Sequence, residues 1–176
     1  MNSELLELKA QVESFSAFQK KIVGLRAHYV GTFKQIDTYF NSPKGRFKLR
    51  EVENEDVAKL IYYDREDVAR PKKSYVLVID IQEPEIFKTL FDKLLGTRVV
   101  ISKKREIFIY DGTQIHLDTV SNLGTFIEFE RKITNLIDDR RVLEELILTL
   151  RIEDKDLIQG SYSDIALENR THKTQF

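Results

Sequence analysis

Apolar and polar residues alternate with a period of two over residues 5–12, 32–40, 46–52, 59–63, 75–80, 99–110, 114–120 and 125–132. Successive side chains of a strand point to opposite faces, so each segment predicts a strand whose two faces differ in chemistry. About eight such strands are enough to close a barrel. A helical spacing occupies residues 14–29, where Phe15, Phe18, Ile22 and Leu25 share a face and Ser14 stands where an N-terminal cap belongs. A second helix is expected after Pro84, with Ile86, Leu90, Phe91, Leu94 and Leu95 apolar and Gly96 as its stop signal. The third covers residues 138–151 and carries Val142, Leu146, Ile147 and Leu150. The order β-α-ββββ-α-βββ-α does not alternate strictly, and the connections between the later strands are short. These features predict an α+β fold with an antiparallel sheet and helices on its outside.

The polar positions of these strands are unusual. In a half-buried strand they ordinarily carry mixed residues that face water. Here Arg46, Lys48 and Arg50 alternate with Phe47 and Leu49, and Glu128 and Glu130 alternate with Ile127 and Phe129. Glu7 with Lys9, Lys103 with Arg105, and His116 with Asp118 extend the arrangement to three more strands. Solvent-facing positions on an open sheet have no reason to sort cations and carboxylates onto different strands. A closed barrel with its apolar faces turned out beneath the helices supplies one. Its lumen would have a basic wall and an acidic wall, wet enough for the charges to stay ionised and paired.

Together the two walls suit a polyphosphate. Guanidinium and ammonium groups neutralise phosphate oxygens, Arg in a two-pronged fashion, while carboxylates hold a hard cation that bridges phosphates. Positioning and charge stabilisation supply most of the catalysis of phosphoryl transfer, so no protein nucleophile is needed.

Composition narrows the choices. The chain has 176 residues, 41% hydrophobic and 32% charged, with 3 Pro and 7 Gly, which suits a single domain over residues 1–167 without a linker or repeat. Residues 168–176 are polar and are expected to form a loosely ordered tail. Lys plus Arg number 28 against 29 Asp plus Glu, so no global field attracts nucleic acid or an acidic membrane, and an anion site must be local. With no cysteine, disulfides, thiolate metal sites and a cysteine nucleophile are excluded. No positive region followed by an apolar stretch opens the chain, and no apolar run is long enough for a bilayer, so a soluble, cytoplasmic protein is expected.

Several segments in this order resemble the CYTH superfamily, named for class IV adenylate cyclase and thiamine triphosphatase. They are Glu7-Leu8-Lys9, Gln35-Ile36-Asp37-Thr38-Tyr39-Phe40 and Gly45-Arg46-Phe47-Lys48-Leu49-Arg50-Glu51, then the stretches at residues 60–65, 71–72, 103–106, 115–118 and 123–130. Gly160-Ser161-Tyr162-Ser163-Asp164 is similar to the class IV adenylate cyclase-like subgroup, and the likeness spans residues 5–167. It implies an eight-stranded antiparallel tunnel barrel that acts on ATP or another triphosphate-bearing small molecule with Mg2+ or Mn2+. The implied reaction is cyclisation of ATP to cyclic AMP and pyrophosphate. Hydrolysis of tripolyphosphate or of a nucleoside or thiamine triphosphate is the alternative, and a non-catalytic polyphosphate-binding module is a further one.

By position, the resemblance assigns contacts with phosphates to Lys9, Lys48, Arg50, Arg65, Lys103 and Arg105, of which Lys9, Lys48, Arg50 and Arg105 are expected to be catalytic and Arg65 and Lys103 to bind substrate. Arg46 on the cationic strand face, Lys72 and Asp37 are further expected substrate-binding residues. Glu7, Glu128 and Glu130 would hold the metal, and Asp118 would support it or orient a lysine. Asp37 reads equally as a structural bridge between lumen cations, and Lys72, after Arg70-Pro71, as a collector of polyphosphate at the tunnel mouth. One departure stands out. Leu5 occupies the place of the first glutamate in the family's opening motif, and Glu4, one step out of register, points to the other face. A metal ligand or a water-orienting carboxylate is thereby missing, which bears on hydrolysis and on any two-metal arrangement.

His116 reads as a hydrogen-bonded structural group and stays outside the catalytic set. Tyr62, Tyr63 and Tyr75 read as wall or core packing. Outward faces left bare by the helices leave room for a homodimer.

Overall fold

The computed structural model describes residues 2–173, with side chains to residue 171. Eight strands form a closed barrel in the order β1-β5-β4-β3-β2-β6-β7-β8. They are β1 (Asn2–Val12), β2 (His28–Phe40), β3 (Arg46–Val52), β4 (Ala58–Arg65), β5 (Lys72–Ile81), β6 (Thr97–Tyr110), β7 (Thr113–Val120) and β8 (Gly124–Lys132). Every neighbouring pair is antiparallel, as the alternation and short connections predict. At the turn between β2 and β3, Gly45 has φ of 64°, and a Cβ there would stand 2.7 Å from the Tyr63 carbonyl oxygen, so only glycine fits.

Part of the outward surface is apolar and covered by helices, while outward positions of β2, β5 and β6, among them Ile36, Ile79 and Val100, stay exposed. Leu6, Leu8 and Ala10 of β1, Ile115 and Leu117 of β7, and Ile127 and Phe129 of β8 pack with Ile22 of α1 (Ser16–Gly24) and with Leu143, Leu146 and Leu150 of α3 (Leu136–Leu150). Each such Leu, Ile or Phe side chain, fully buried, contributes about 1.5–3 kcal/mol relative to exposure. On the opposite side, Phe87 and Phe91 of α2 (Pro84–Leu95) rest on Phe40 and Leu49. Phe91 also meets the Phe47 ring edge-on at 4.9 Å. Gly96 ends α2 with φ of 77°, as its sequence position predicts.

Four expectations are corrected. α1 is shorter than residues 14–29, and Ser14 does not cap it; its hydroxyl meets that of Ser16 instead. Arg26 adopts φ of 58°, and His28 and Tyr29 leave the helical path to pair with Ile109 and Phe108 of β6, so strand pairing wins over helical periodicity. Of the apolar residues expected to seat α2, Ile86, Leu90 and Leu94 are exposed, because the helix turns Phe87 and Phe91 to the barrel. α3 begins earlier than residue 138: the Asn135 side chain accepts from the Ile137 and Asp138 amides and caps it. Finally, a fourth helix, α4 (Tyr162–Lys173), takes in most of the stretch expected as a loose tail, whose last three residues lie outside those described. Asp164 accepts from both the amide and the hydroxyl of Ser161, at 2.8 and 2.7 Å, and so braces the start of α4. Among the described residues no helix is long and apolar enough to cross a membrane.

Candidate active site

The inward faces of the strands enclose a cavity of about 380 Å³. Lys9, Lys48, Arg50, Arg65, Lys103, Arg105 and Lys132 line it together with Glu7, Glu128 and Glu130. Leu5, Ile61, Val76 and Val78 of β1, β4 and β5 add an apolar strip.

The basic wall is built on β3, β2 and β6 around Asp37, which is completely buried. Its carboxylate accepts from Lys48 at 2.9 Å, from Arg50 at 2.7 and 2.9 Å, and from Lys103 at 3.1 Å. Register explains the meeting: Asp37 pairs directly with Arg50 across β2 and β3, while Lys103 faces Gln35 on the other side of β2. Burial opposes ionisation of Asp37, but Arg50, Lys103 and Lys48 outweigh it and hold the carboxyl well below its usual range. The cations are less well served. Burial, then Arg50, brings the Lys48 ammonium down to about 8. Burial, then Arg105 and Arg50, pushes Lys103 well down. One carboxylate thus serves two buried ammonium groups and a half-buried guanidinium.

The acidic wall is built on β1, β8 and β7. Glu128 pairs with Lys9 at 2.9 Å and with Arg105 at 2.6 Å. Arg105 grips Asp118 with two bonds of 2.7 and 2.6 Å, and Tyr162 at the start of α4 donates its hydroxyl to the same carboxylate at 2.7 Å. Burial raises the Asp118 and Glu128 carboxyls, but Arg105 acting on Asp118 and Lys9 with Arg105 acting on Glu128 reverse the effect; Asp118 lies at about 2 and Glu128 well below its usual value. Glu7 behaves oppositely. It is bonded to Arg65, yet burial, reinforced by Glu130 and Glu128, raises its carboxyl. Glu130 stands directly across from Glu7 in the β1–β8 register.

A divalent cation fits this wall. Donor atoms of His116, Glu128 and Glu130 all lie within 4.8 Å of one another. His116 is 1% exposed, and its Nδ1 has no hydrogen-bond partner. A buried imidazole nitrogen left without a partner beside two carboxylates is a donor set suited to a metal ion.

The structure gathers Lys9, Lys48, Arg50, Arg65, Lys103, Arg105, Glu7, Glu128 and Glu130 at one cavity, with Asp37 beneath it. Two of the expected substrate contacts stand elsewhere. Arg46 is taken by Asp164 and Asp67, at 2.7 Å each, and lines a depression outside the barrel. Lys72 gives its ammonium to the carbonyl oxygens of Val68, Ile158 and Gln159, at 2.9, 3.2 and 2.7 Å, where it braces the segment leading to α4. Asp118 orients Arg105 and Tyr162 and is absent from the group of clustered metal donors. Leu5 does line the cavity, between Ser74 and Lys132 in register. Sequence reasoning missed Lys132, which continues the inward parity of Glu128 and Glu130, and Tyr162, whose ring lies 3.7 Å beneath the Lys9 ammonium. Parity signalled the first; the second lies in the stretch at residues 160–164 that resembles the cyclase-like subgroup, but no periodicity places it at the lumen.

The CYTH domain family model matches residues 5–162, from Leu5 on β1 to Tyr162 at the start of α4. The chain belongs to the CYTH family. A relative from Methanocaldococcus jannaschii, named "Putative adenylate cyclase MJ0240", is 25% identical over 170 residues, covering 91% of this chain and 97% of that protein. Among solved structures, the PH1012 protein of Pyrococcus horikoshii superimposes with a TM-score of 0.85 at 24% identity, covering 92% of this chain and 98% of that one. HpAC1 of Hippeastrum, for which a dominant triphosphatase activity is described, has a TM-score of 0.65 at 15% identity, with 96% of each chain covered. At these identities the solved structures establish the CYTH barrel and leave the reaction to the chemistry of the lumen.

Proposed function

We propose that this CYTH protein is a metal-dependent enzyme that cyclises ATP to cyclic AMP and pyrophosphate. The observation that carries the reading is the sharing of Asp37 by Lys48, Arg50 and Lys103: buried cations in excess call for a polyanion, and a phosphate chain supplies it. Lys9, Lys48, Arg50, Arg65, Lys103 and Arg105 would contact phosphate oxygens. Glu128 and Glu130 would hold Mg2+ or Mn2+, with Glu7 opposite them. Such an ion supplies charge neutralisation on the phosphates.

In the reaction, the ribose 3'-oxygen bonds to the α-phosphorus, the bond from that phosphorus to its bridging oxygen breaks, and pyrophosphate leaves. The hydroxyl proton passes to a carboxylate of the acidic wall. Glu7, whose carboxyl burial raises above its ordinary value, is suited to take it. Alignment of the 3'-hydroxyl on phosphorus is what the rigid barrel contributes. Two features favour cyclisation. The strip of Leu5, Ile61, Val76 and Val78 offers an apolar seat to a nucleoside, which inorganic tripolyphosphate lacks. Leu5 also removes a carboxylate able to orient water. The name of the Methanocaldococcus relative points the same way, and ATP as substrate suits the cytoplasm. Hydrolysis of a triphosphate is the second reading, motivated by the activity described for HpAC1 on the same fold.

Phosphorus NMR of the purified protein with ATP, and separately with tripolyphosphate, each with Mg2+ or Mn2+, tests both. Cyclic AMP with pyrophosphate supports the proposal. Orthophosphate as the product supports hydrolysis in its place. Broadened signals without turnover would make the protein a polyphosphate-binding module and sink the enzymatic reading.

A further inference from the structure

We infer that His116 Nδ1 is the third protein ligand of the cation held by Glu128 and Glu130, and that this nitrogen biases the site toward Mn2+ over Mg2+. The inference rests on the reading above, in which a metal acts in the lumen, and deepens it by assigning a ligand and a metal preference.

The case begins with position. His116 faces inward on β7 and pairs in register with Glu128 on β8. Its Nδ1 lies 3.6 Å from Glu128 Oε2 and 3.9 Å from Glu130 Oε1. Donors bound to one ion at about 2.1 Å stand roughly 3–4 Å apart, so these separations match a shared ion better than direct hydrogen bonds, which need about 2.7–3.2 Å. The ring is also oriented. Nε2 meets the Gln114 side-chain oxygen at 3.1 Å, which turns Nδ1 toward the two carboxylates. Nδ1 is buried, faces both carboxylates and has no hydrogen-bond partner, which leaves it available as a metal ligand. In the lining of the cavity, Lys9 and Arg105 approach Glu128, yet neither supplies a partner to Nδ1.

The metal preference follows from donor type. Oxygen donors suit Mg2+ and Mn2+ alike and discriminate little between them, whereas an imidazole nitrogen shifts the balance toward the transition-metal ion of the two. Leu5 strengthens the bias: with no carboxylate from that position lining the cavity, the nitrogen makes up a larger share of the protein's donors.

The test uses the full chain and MnCl2 or MgCl2, alone and with tripolyphosphate. Calorimetry gives the two dissociation constants, and pulsed electron spin resonance of the Mn2+ complex reads nitrogen coordination directly. Wild type is expected to bind Mn2+ tighter than Mg2+ by roughly tenfold or more and to show modulation from a bound imidazole nitrogen. His116→Asn, which offers an oxygen in nearly the same place, should lose the nitrogen signal and lower the Mn2+/Mg2+ ratio by roughly tenfold while both ions still bind. Glu128→Gln and Glu130→Gln should weaken both ions alike. If Mn2+ binds and the Glu variants weaken it, but wild type shows no nitrogen modulation, the His116 assignment falls and the lumenal metal stands. If neither ion binds wild type under any condition, the functional reading falls with it. The wild-type spectrum decides the assignment even where a variant fails to fold.

Discussion

Replacing Asp37 with Asn removes the carboxylate shared by Lys48, Arg50 and Lys103 while keeping the volume of the side chain. Asp37 is fully buried, and Lys48 and Lys103 are 7% and 3% exposed, so the stranded cations are shielded from bulk water and reach only the lumenal cavity. Removing one partner of a buried ion pair costs about 3–5 kcal/mol, because the remaining charge is left uncompensated. For a chain of this length each kcal/mol lowers Tm by about 2–4 °C, so D37N should melt roughly 6–20 °C below wild type near neutral pH. Arg50 cannot shed its proton, but Lys48, brought to about 8 by burial and Arg50, can do so as pH rises. The gap should therefore narrow between about pH 6 and pH 9. The acid side has the opposite sign. The folded pKa of Asp37 lies below its unfolded value, so its contribution is complete above the unfolded pKa, about 3.9, and is lost as pH falls through the folded one. Thermal melts in EDTA, with and without tripolyphosphate, are the assay. The polyanion should raise the Tm of D37N by more than that of wild type, since it returns the missing negative charge. A Tm for D37N within about 2 °C of wild type at neutral pH, without polyphosphate, would refute the sharing of one carboxylate by three cations.

Lys48→Ala and Arg50→Ala should each remain folded and lose roughly 10²-fold or more in turnover, measured by product formation from ATP, as expected for groups that stabilise phosphate charge; retained turnover with raised stability would count against their roles. Leu5→Glu restores a carboxylate beside Lys132 and Ser74 and should increase orthophosphate at the expense of cyclic AMP; an unchanged product ratio would show that this position does not steer water. Binding of tripolyphosphate at about pH 8 should take up protons, because the polyanion offsets the burial and like charges that lower Lys48 and Lys103. Calorimetry in two buffers of different ionisation enthalpy would read that uptake, and identical heats would exclude it.

Tyr162, Lys72 and His116 mark the limit of what the chain reveals before it folds. Each strand's alternation is local, so the inward set Glu7, Lys9, Lys48, Arg50, Lys103, Arg105, Glu128 and Glu130 can be read by parity, and so could Lys132. Tyr162 is different. It reaches the lumen because Ile158 donates to the Lys9 carbonyl oxygen at 2.9 Å and Lys72 ties down the carbonyls of Ile158 and Gln159. Those contacts join residues far apart in the chain, and no periodicity records them.

Alternation with a period of two, together with the sorting of charge onto particular strands, determined by itself that the sheet closes around a charged lumen, because only an interior gives like-charged strand faces a common purpose. Tertiary structure decided which charges meet. Lys103 finds Asp37 across 66 positions of sequence, Arg46 finds Asp164 across 118, and His116 is left with a bare nitrogen between Glu128 and Glu130. The physical reason is that the face of a strand is set by bond geometry within two residues, whereas the partner of a side chain is set by the register of neighbouring strands and the closure of the barrel.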